Sequence, residues 1–310
     1  MGRYLARRAM HAVPVLLGIS LIGFLLIRLV PGDPIRVMLG IHATPEAVEA
    51  LRSRFGLDQP LPIQYLAFVA NAVRLDFGDS IALHTTVRSL IFQRIGITFA
   101  LVAYATTISL ALAIPLAVIS AARANRLPDH AVRLVTMVTF AMPAFWVGLL
   151  LIMVFSLALG LFPTSGLGEG ILPFLWSLTL PAVTIGLYLS PVLIRTLRAS
   201  MIESLAAEFV EAARARGLSE RRVLLRHVLR TSLVTTVAIV GVNVGFLLSG
   251  AVVVETVFAI PGLGSLLVGA VAGRDFAVIQ GVILVFGLAV IVISLFTDLV
   301  NAAIDPRIRL

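Results

Sequence analysis

Few residues in this chain could do chemistry, and their spacing excludes most reactions. All 24 basic residues are arginine, beside 16 acids, 5 histidines and no cysteine. Without a thiol there is no disulfide, no thiolate nucleophile and no sulfur-ligated metal. Without lysine there is no P-loop to hold terminal phosphates and no Schiff base. The chain therefore cannot hydrolyse ATP through a P-loop of its own. His11, His42, His84, His130 and His227 are scattered, with no metal-ligand spacing. No catalytic residue, metal or cofactor is expected.

Two short strings imitate known motifs. Asp76-Phe77-Gly78 matches a kinase metal-binding triplet, but no phosphate lysine or catalytic loop accompanies it. It reads as a turn ending a helix. Gly262-Leu263-Gly264-Ser265 completes neither a nucleophile elbow nor a dinucleotide loop, and reads as a turn after Pro261.

The most informative stretch is Ser200 to Arg230. Ser200-Met201-Ile202-Glu203 has the form of a capping box and predicts a helix start. Leu205, Phe209, Ala212, Ala213 and Arg216 then recur at helical steps, giving one apolar stripe on a charged helix. Gly217 suits a left-handed helix stop, and Ser219 can cap the next helix. The product is a helix–turn–helix elbow. It could rest its arginines on anionic lipid. It could equally be a docking knob, with Ala212 and Ala213 letting the backbone sit deep in a groove and Glu211, Arg214 and Arg216 pairing at its rim. Periodicity leaves both open.

The elements that must hold this elbow follow from composition. Of 310 residues, 59% are apolar and only 13% charged, where soluble chains average about 25% charged. A bilayer-spanning helix needs about 20 mostly apolar residues. Six charge-poor runs qualify: Arg8 to Arg28, Arg94 to Arg123, Arg133 to Leu159, Glu169 to Arg195, Arg230 to Glu255, and Asp275 to Asp298. A signal peptide is a weaker reading of the first run, which is long and has no A-x-A site before Pro31. Pro14, Pro115, Pro143, Pro181 and Pro191 mark expected kinks, with Pro181 and Pro191 interrupting the fourth span. Thr106, Thr107, Ser109 and Thr184 are expected to bond helix to helix. Gly241 with Gly245, and Gly269 with Gly273, allow close helix contact.

Arginines cluster at the N-terminus, between spans two and three, between spans four and five, and in the tail. That pattern puts both termini in the cytoplasm and explains the +8 charge without nucleic acid. Between the first two spans, residues 31–94 carry six arginines and six acids and read as an extracytoplasmic insertion. Thr44-Pro45-Glu46 opens a helix there and Gly56 suits its stop. Tyr65, Leu66, Phe68, Val69, Ala72 and Val73 outline a second helix. The expected organisation is thus 1–30, a cytoplasmic segment and first span; 31–94, the insertion; and 95–310, a five-helix core with its elbow at 200–217.

Several strings resemble one family. Glu211-Ala212-Ala213, three residues, then Gly217 resembles the EAA signature of binding-protein-dependent ATP-binding-cassette importers. That signature continues after nine residues as I-x-L-P, where this chain has His227-Val228-Leu229-Arg230. Arg3-Tyr4-Leu5-Ala6-Arg7-Arg8, Pro31-Gly32-Asp33-Pro34, Gly56-Leu57-Asp58-Gln59-Pro60 and Asp76-Phe77-Gly78-Asp79-Ser80 resemble the dipeptide/oligopeptide (and nickel) permease branch. So do Phe258-Ala259-Ile260-Pro261-Gly262-Leu263-Gly264 and the ending Asp305-Pro306-Arg307.

The resemblance implies an all-α, six-span, type I importer (MetI-like) fold in the inner membrane of a prokaryote. It implies a permease for di- or oligopeptides beside a homologous second permease. Two separate ATPase subunits would drive it, and an extracytoplasmic solute-binding protein would feed it. Glu211, Ala212, Ala213 and Gly217 carry over as the ATPase-coupling contact, flanked by Phe209, Arg214 and Arg216. Permeation of nickel or glutathione is an alternative, as is a self-contained secondary transporter. Ion-coupled carriers bury ionisable groups mid-span, and here Arg28 and Glu255 stand at span ends. An intramembrane enzyme would need a polar cluster that no pair of spans offers.

Overall fold

The computed structural model describes residues 2–29, 44–54 and 58–304, and every regular element among them is a helix. Helix α1 spans Gly2–Leu29, α2 Pro45–Arg54 and α3 Leu61–Val73. Next come α4, Val87–Ala122; α5, Leu127–Ala141; and α6, Ala144–Leu151, which runs on as a π-helix over Ile152–Ala158. Helix α7 spans Ile171–Leu205, α8 Glu208–Ala215 and α9 Glu220–Arg222. A π-helix, Val223–Val228, joins α9 to α10, Leu229–Val257. The chain ends with α11, Leu263–Ala272, and α12, Phe276–Ile304. The expected strings Pro31–Pro34 and Asp305–Arg307, and the helix stop at Gly56, lie outside the described residues.

Among the described residues four single helices are long and apolar enough to cross a bilayer: Val87–Ala122, Ile171–Leu205, Glu220–Asn243 and Phe276–Asn301. The pair Leu127–Ala141 and Ala144–Ala158 passes the same test only when taken together, and is bent by 102° at its break, the geometry of a broken span or a re-entrant loop. Pro143 accounts for the break, because it forces Met142 out of helical geometry (ψ 131°) and cannot donate to the preceding turn. The sixth expected span falls on α1, which is 28 residues long with an apolar stretch, Ala12–Leu25, shorter than the others. Pro181 and Pro191 do not interrupt α7, which is continuous over 35 residues. Interior prolines are tolerated where neighbouring groups satisfy the backbone they free.

The chain divides into two compact units. One holds the described residues within 1–96 and 265–291, the other those within 97–264 and 292–310. In the first, Tyr65 of α3 reaches α1: its hydroxyl donates to Leu17 O at 3.1 Å and lies 2.8 Å from Ser20 Oγ. Phe24 meets the Tyr65 ring edge-on at 5.4 Å. The triplet Asp76-Phe77-Gly78 follows α3 in a loop, with Gly78 at φ 80° donating to Asp76 Oδ1. Beyond it, Ser80 Oγ and Ala82 N both donate to the buried Asp275 carboxylate, and Asp275 also accepts from Val278 N in the first turn of α12.

In the second unit α7 is the buried centre, facing α10 most extensively. Gly186 brings α7 onto α4, since a Cβ there would stand 3.1 Å from Ile108 and 3.2 Å from Ala105 O. Ser109 Oγ lies 2.9 Å from Ala105 O and 3.0 Å from Gly186 O, linking α4 to α7. Thr106, Thr107 and Thr184 instead bond back to carbonyls of their own helices. A hydroxyl four residues along a helix finds its own carbonyl first. Of the paired glycines, Gly241 lies directly against Thr297, whereas nothing stands within 4 Å of an added Cβ at Gly245 or Gly269.

Gly262 and Gly264 do more than turn the chain. Helix α11 starts at Leu263, and the fully buried Glu255 carboxylate covers its N-terminus. Gly264 N donates to Glu255 Oε2 at 2.7 Å, and Thr98 Oγ1 donates to Oε1 at 2.6 Å while accepting from Leu263 N at 2.8 Å. Both glycines press against this carboxylate, so neither tolerates a side chain. The isosteric change Thr98→Val takes a donor from the buried Glu255 carboxylate and the acceptor from the buried Leu263 amide. It should destabilise the protein by about 2–4 kcal/mol, read as a lower thermal midpoint in detergent; an unchanged midpoint contradicts this account.

Candidate functional site

The elbow begins later than its sequence suggests. Ser200-Met201-Ile202-Glu203 caps nothing, because α7 runs through it to Leu205 and buries Met201 completely. A capping box acts only where amides lack helical partners, and here the preceding turns supply them. The chain breaks at Ala206 (φ −89°, ψ 0°) and Ala207 (φ −81°, ψ 149°). Helix α8 then starts with Glu208 and Glu211 in its first turn, where the positive end of the helix dipole favours acids.

The buried face of α8 also differs from the expected stripe. Val210 and Ala213 are buried against the π-helix Val223–Val228, whose own Val223 and Val228 are fully covered. Phe209 is 42% exposed, and Glu211, Ala212, Arg214 and Arg216 are exposed with it. Val210 was absent from the sequence pattern. On a helix of eight residues the 209/212/216 and 210/213 sets are adjacent stripes, and only tertiary contact chooses between them.

The stop behaves as its glycine implies. Gly217 has φ 78°; its amide donates to Arg214 O at 2.9 Å, and Leu218 N donates to Ala213 O at 3.2 Å. That pair of bonds is a Schellman closure, which needs a left-handed residue. Ser219 precedes the next helix in extended geometry without a side-chain cap bond. Across the turn Arg214 forks onto Glu220, Nε to Oε1 at 2.8 Å and Nη2 to Oε2 at 3.1 Å. Glu220 thereby holds the Arg214 guanidinium above its ordinary pKa. Arg214 is therefore engaged within the elbow, leaving Glu211 and Arg216 as the exposed charges flanking Ala212. Where the family signature carries proline, Arg230 continues an unbroken backbone from the π-turn into α10. Ser204 Oγ and Ser232 Oγ, 3.3 Å apart, join α7 to α10 above the bend.

One polar centre was not foreseen. Asp129, fully buried at the start of α5, accepts Arg198 Nε and Nη2 at 2.7 and 2.6 Å, with Ser120 Oγ and Asn125 N completing its shell. It ties α4, α5 and α7 together just before the elbow. Its members are 78 residues apart at most, so no local spacing announces them. Among the described residues no group of three or more metal-ligating side chains converges.

At Gly217 an added Cβ meets nothing within 4 Å, so Gly217→Ala isolates backbone strain. The left-handed penalty is about 1 kcal/mol. Hydrogen exchange at the Leu218 amide should accelerate about fivefold; unchanged exchange would show that the stop does not depend on glycine.

Comparison with known proteins covers nearly the whole chain. Residues 113–310 match the family described as binding-protein-dependent transport system inner membrane component, and residues 1–102 match its N-terminal companion. A Brucella ovis protein named as a peptide permease is 37% identical over all of this chain and 99% of its own length. The glutathione transport system permease protein GsiC of Escherichia coli (strain K12) is 38% identical over 100% of this chain and 99% of its own. Among solved structures, an inward-facing form of the MetNI methionine ABC transporter aligns with TM-score 0.59 at 16% identity, covering 70% of this chain and 96% of that one, a likeness of fold. With family profiles over nearly its whole length and relatives above 30% identity end to end, the chain belongs to the binding-protein-dependent transport system inner membrane components.

Proposed function

We propose that this chain is one permease subunit of a peptide importer, with α8 as the contact through which separate ATPase subunits drive it. The observation that carries the reading is the elbow itself: a short, rigidly closed helix between α7 and α10 that presents Phe209, Glu211, Ala212 and Arg216 outward. Ala212 is small enough to let a groove approach the backbone, and Glu211 and Arg216 offer opposite charges at its rim. The chain has no lysine for a P-loop, so ATP must be turned over elsewhere. A homologous permease completes the channel, a solute-binding protein delivers cargo, and both termini lie in the cytoplasm with the elbow, following the arginine distribution. Di- and oligopeptides are the proposed cargo, supported by the relative named for peptide permeation; glutathione, itself a tripeptide, is the second reading, supported by the relative named for it.

Ala212→Arg places a bulky cation on the exposed face without touching the core. Ala213→Arg would disrupt the fold instead, because Ala213 is buried. In proteoliposomes holding the whole importer, Ala212→Arg and Gly217→Pro should abolish ATP-dependent peptide uptake while membrane insertion persists. Uptake surviving both changes refutes the coupling role. Uptake of labelled glutathione but not of other di- or oligopeptides, or of nickel ions alone, refutes the peptide assignment.

A further inference from the structure

A pocket of about 290 Å³ lies between α5 and α7, separate from the exposed face of α8. Its walls are Met137, Phe140, Pro191, Val192 and Ile194, and its edge carries Arg133, Arg195 and Arg198. Phe140 stacks on Tyr188 at 6.1 Å and 16°, fixing the apolar wall. Each arginine is held differently. Arg198 is spent on Asp129. Arg133 stands 3.8 Å from the same carboxylate and 2.6 Å from His130 Nδ1. Arg195 is exposed and makes no hydrogen bond or ion pair among the described residues. Two guanidinium groups thus share the Asp129 carboxylate while Arg195 pairs with none, and the rim is left positive.

The pocket runs along the middle and second half of α5, from Arg133 to Phe140, ahead of the bend to α6. At its mouth α5 presents Met137 and Phe140, which line the pocket and are also exposed, a surface too apolar for water. A cationic rim above an apolar track matches an amphiphile whose anionic head and hydrocarbon tail bind together. A small soluble anion would leave the track bare. We propose that this pocket holds the phosphate of an anionic phospholipid, with Arg195 and Arg133 as its ligands and an acyl chain along Met137 and Phe140. The Asp129–Arg198 pair is the rigid floor that keeps the two remaining cations apart and available.

The test uses the assembled importer in detergent, titrated with phosphatidylglycerol or phosphatidylcholine and read by native mass spectrometry. Phosphatidylglycerol should be retained in preference, and Arg195→Gln should weaken its retention about fivefold, with Arg195→Lys restoring most of it. Inorganic phosphate in large excess should not displace the lipid. Equal retention of the two lipids, undiminished retention by Arg195→Gln, or displacement by phosphate alone each overturns the proposal. The chain has no cysteine, so Met137→Cys provides a single reporter. Its labelling by a membrane-permeant maleimide should fall as phosphatidylglycerol is added. Cross-linking of that cysteine to the neighbouring permease would mean that a subunit, not a lipid, covers the pocket.

Discussion

Hydrocarbon offers no hydrogen-bond partner, and that constraint shapes nearly everything in this molecule. Backbone amides inside the bilayer must close on their own helix, so the polar side chains that survive burial collect where helices begin or end. Three carboxylates follow the rule. Asp129 stands at the start of α5, Asp275 immediately before α12, and Glu255 in the last turn of α10 while covering the start of α11. Each accepts at least one backbone amide as well as a side-chain donor. A buried carboxylate so surrounded is a junction: removing one donor leaves it short of a hydrogen bond that no water replaces, and the cost exceeds that of the bond itself.

This explains which parts of the structure are legible in the sequence. The crossings are, because charge-free length is a one-dimensional property. So are Thr44-Pro45-Glu46 at the start of α2 and Gly217 at the end of α8, where the controlling residue is within a turn of its effect. The junctions are not. Thr98 meets Glu255 across 157 residues, and Ser80 meets Asp275 across 195. The strings around Asp79-Ser80 and Phe258 to Gly264 look like loop punctuation until their distant carboxylates are in place. Pro143 is a different case: the sequence marks a kink, but a turn of 102° depends on what the two halves find to rest against.

The elbow shows the same limit at short range. Ser200 to Glu203 has the composition of a helix start, yet Met201 gains more from burial in α7 than the chain would gain from a cap, and the helix continues. Composition then hands the break to Ala206 and Ala207, which carry no signal at all. Likewise Arg214 and Arg216 look alike in sequence and both are exposed, and only the Glu220 carboxylate across the Gly217 turn distinguishes them, by pairing with Arg214.

What stiffens α8 bears on whether it could carry force. The Arg214–Glu220 fork is solvent-exposed, and such pairs contribute about 0–1 kcal/mol. Burial of Val210 and Ala213, where α8 packs on the π-helix Val223–Val228, is the larger effect, and it is non-directional. Direction comes from the backbone instead: the Schellman closure at Gly217 fixes where the chain leaves α8, and the unbroken path from α9 through the π-turn into α10 fixes where it goes. The π-turn adds one residue to a turn without opening it, so the helical hydrogen bonds run on from α9 into α10, whereas α8 joins them only through the Gly217 turn and side-chain packing. With proline at 230 that continuity would depend on neighbouring helices. With Arg230 the continuity from α9 to α10 is intrinsic to the backbone, and what holds α8 against it is the burial of Val210 and Ala213.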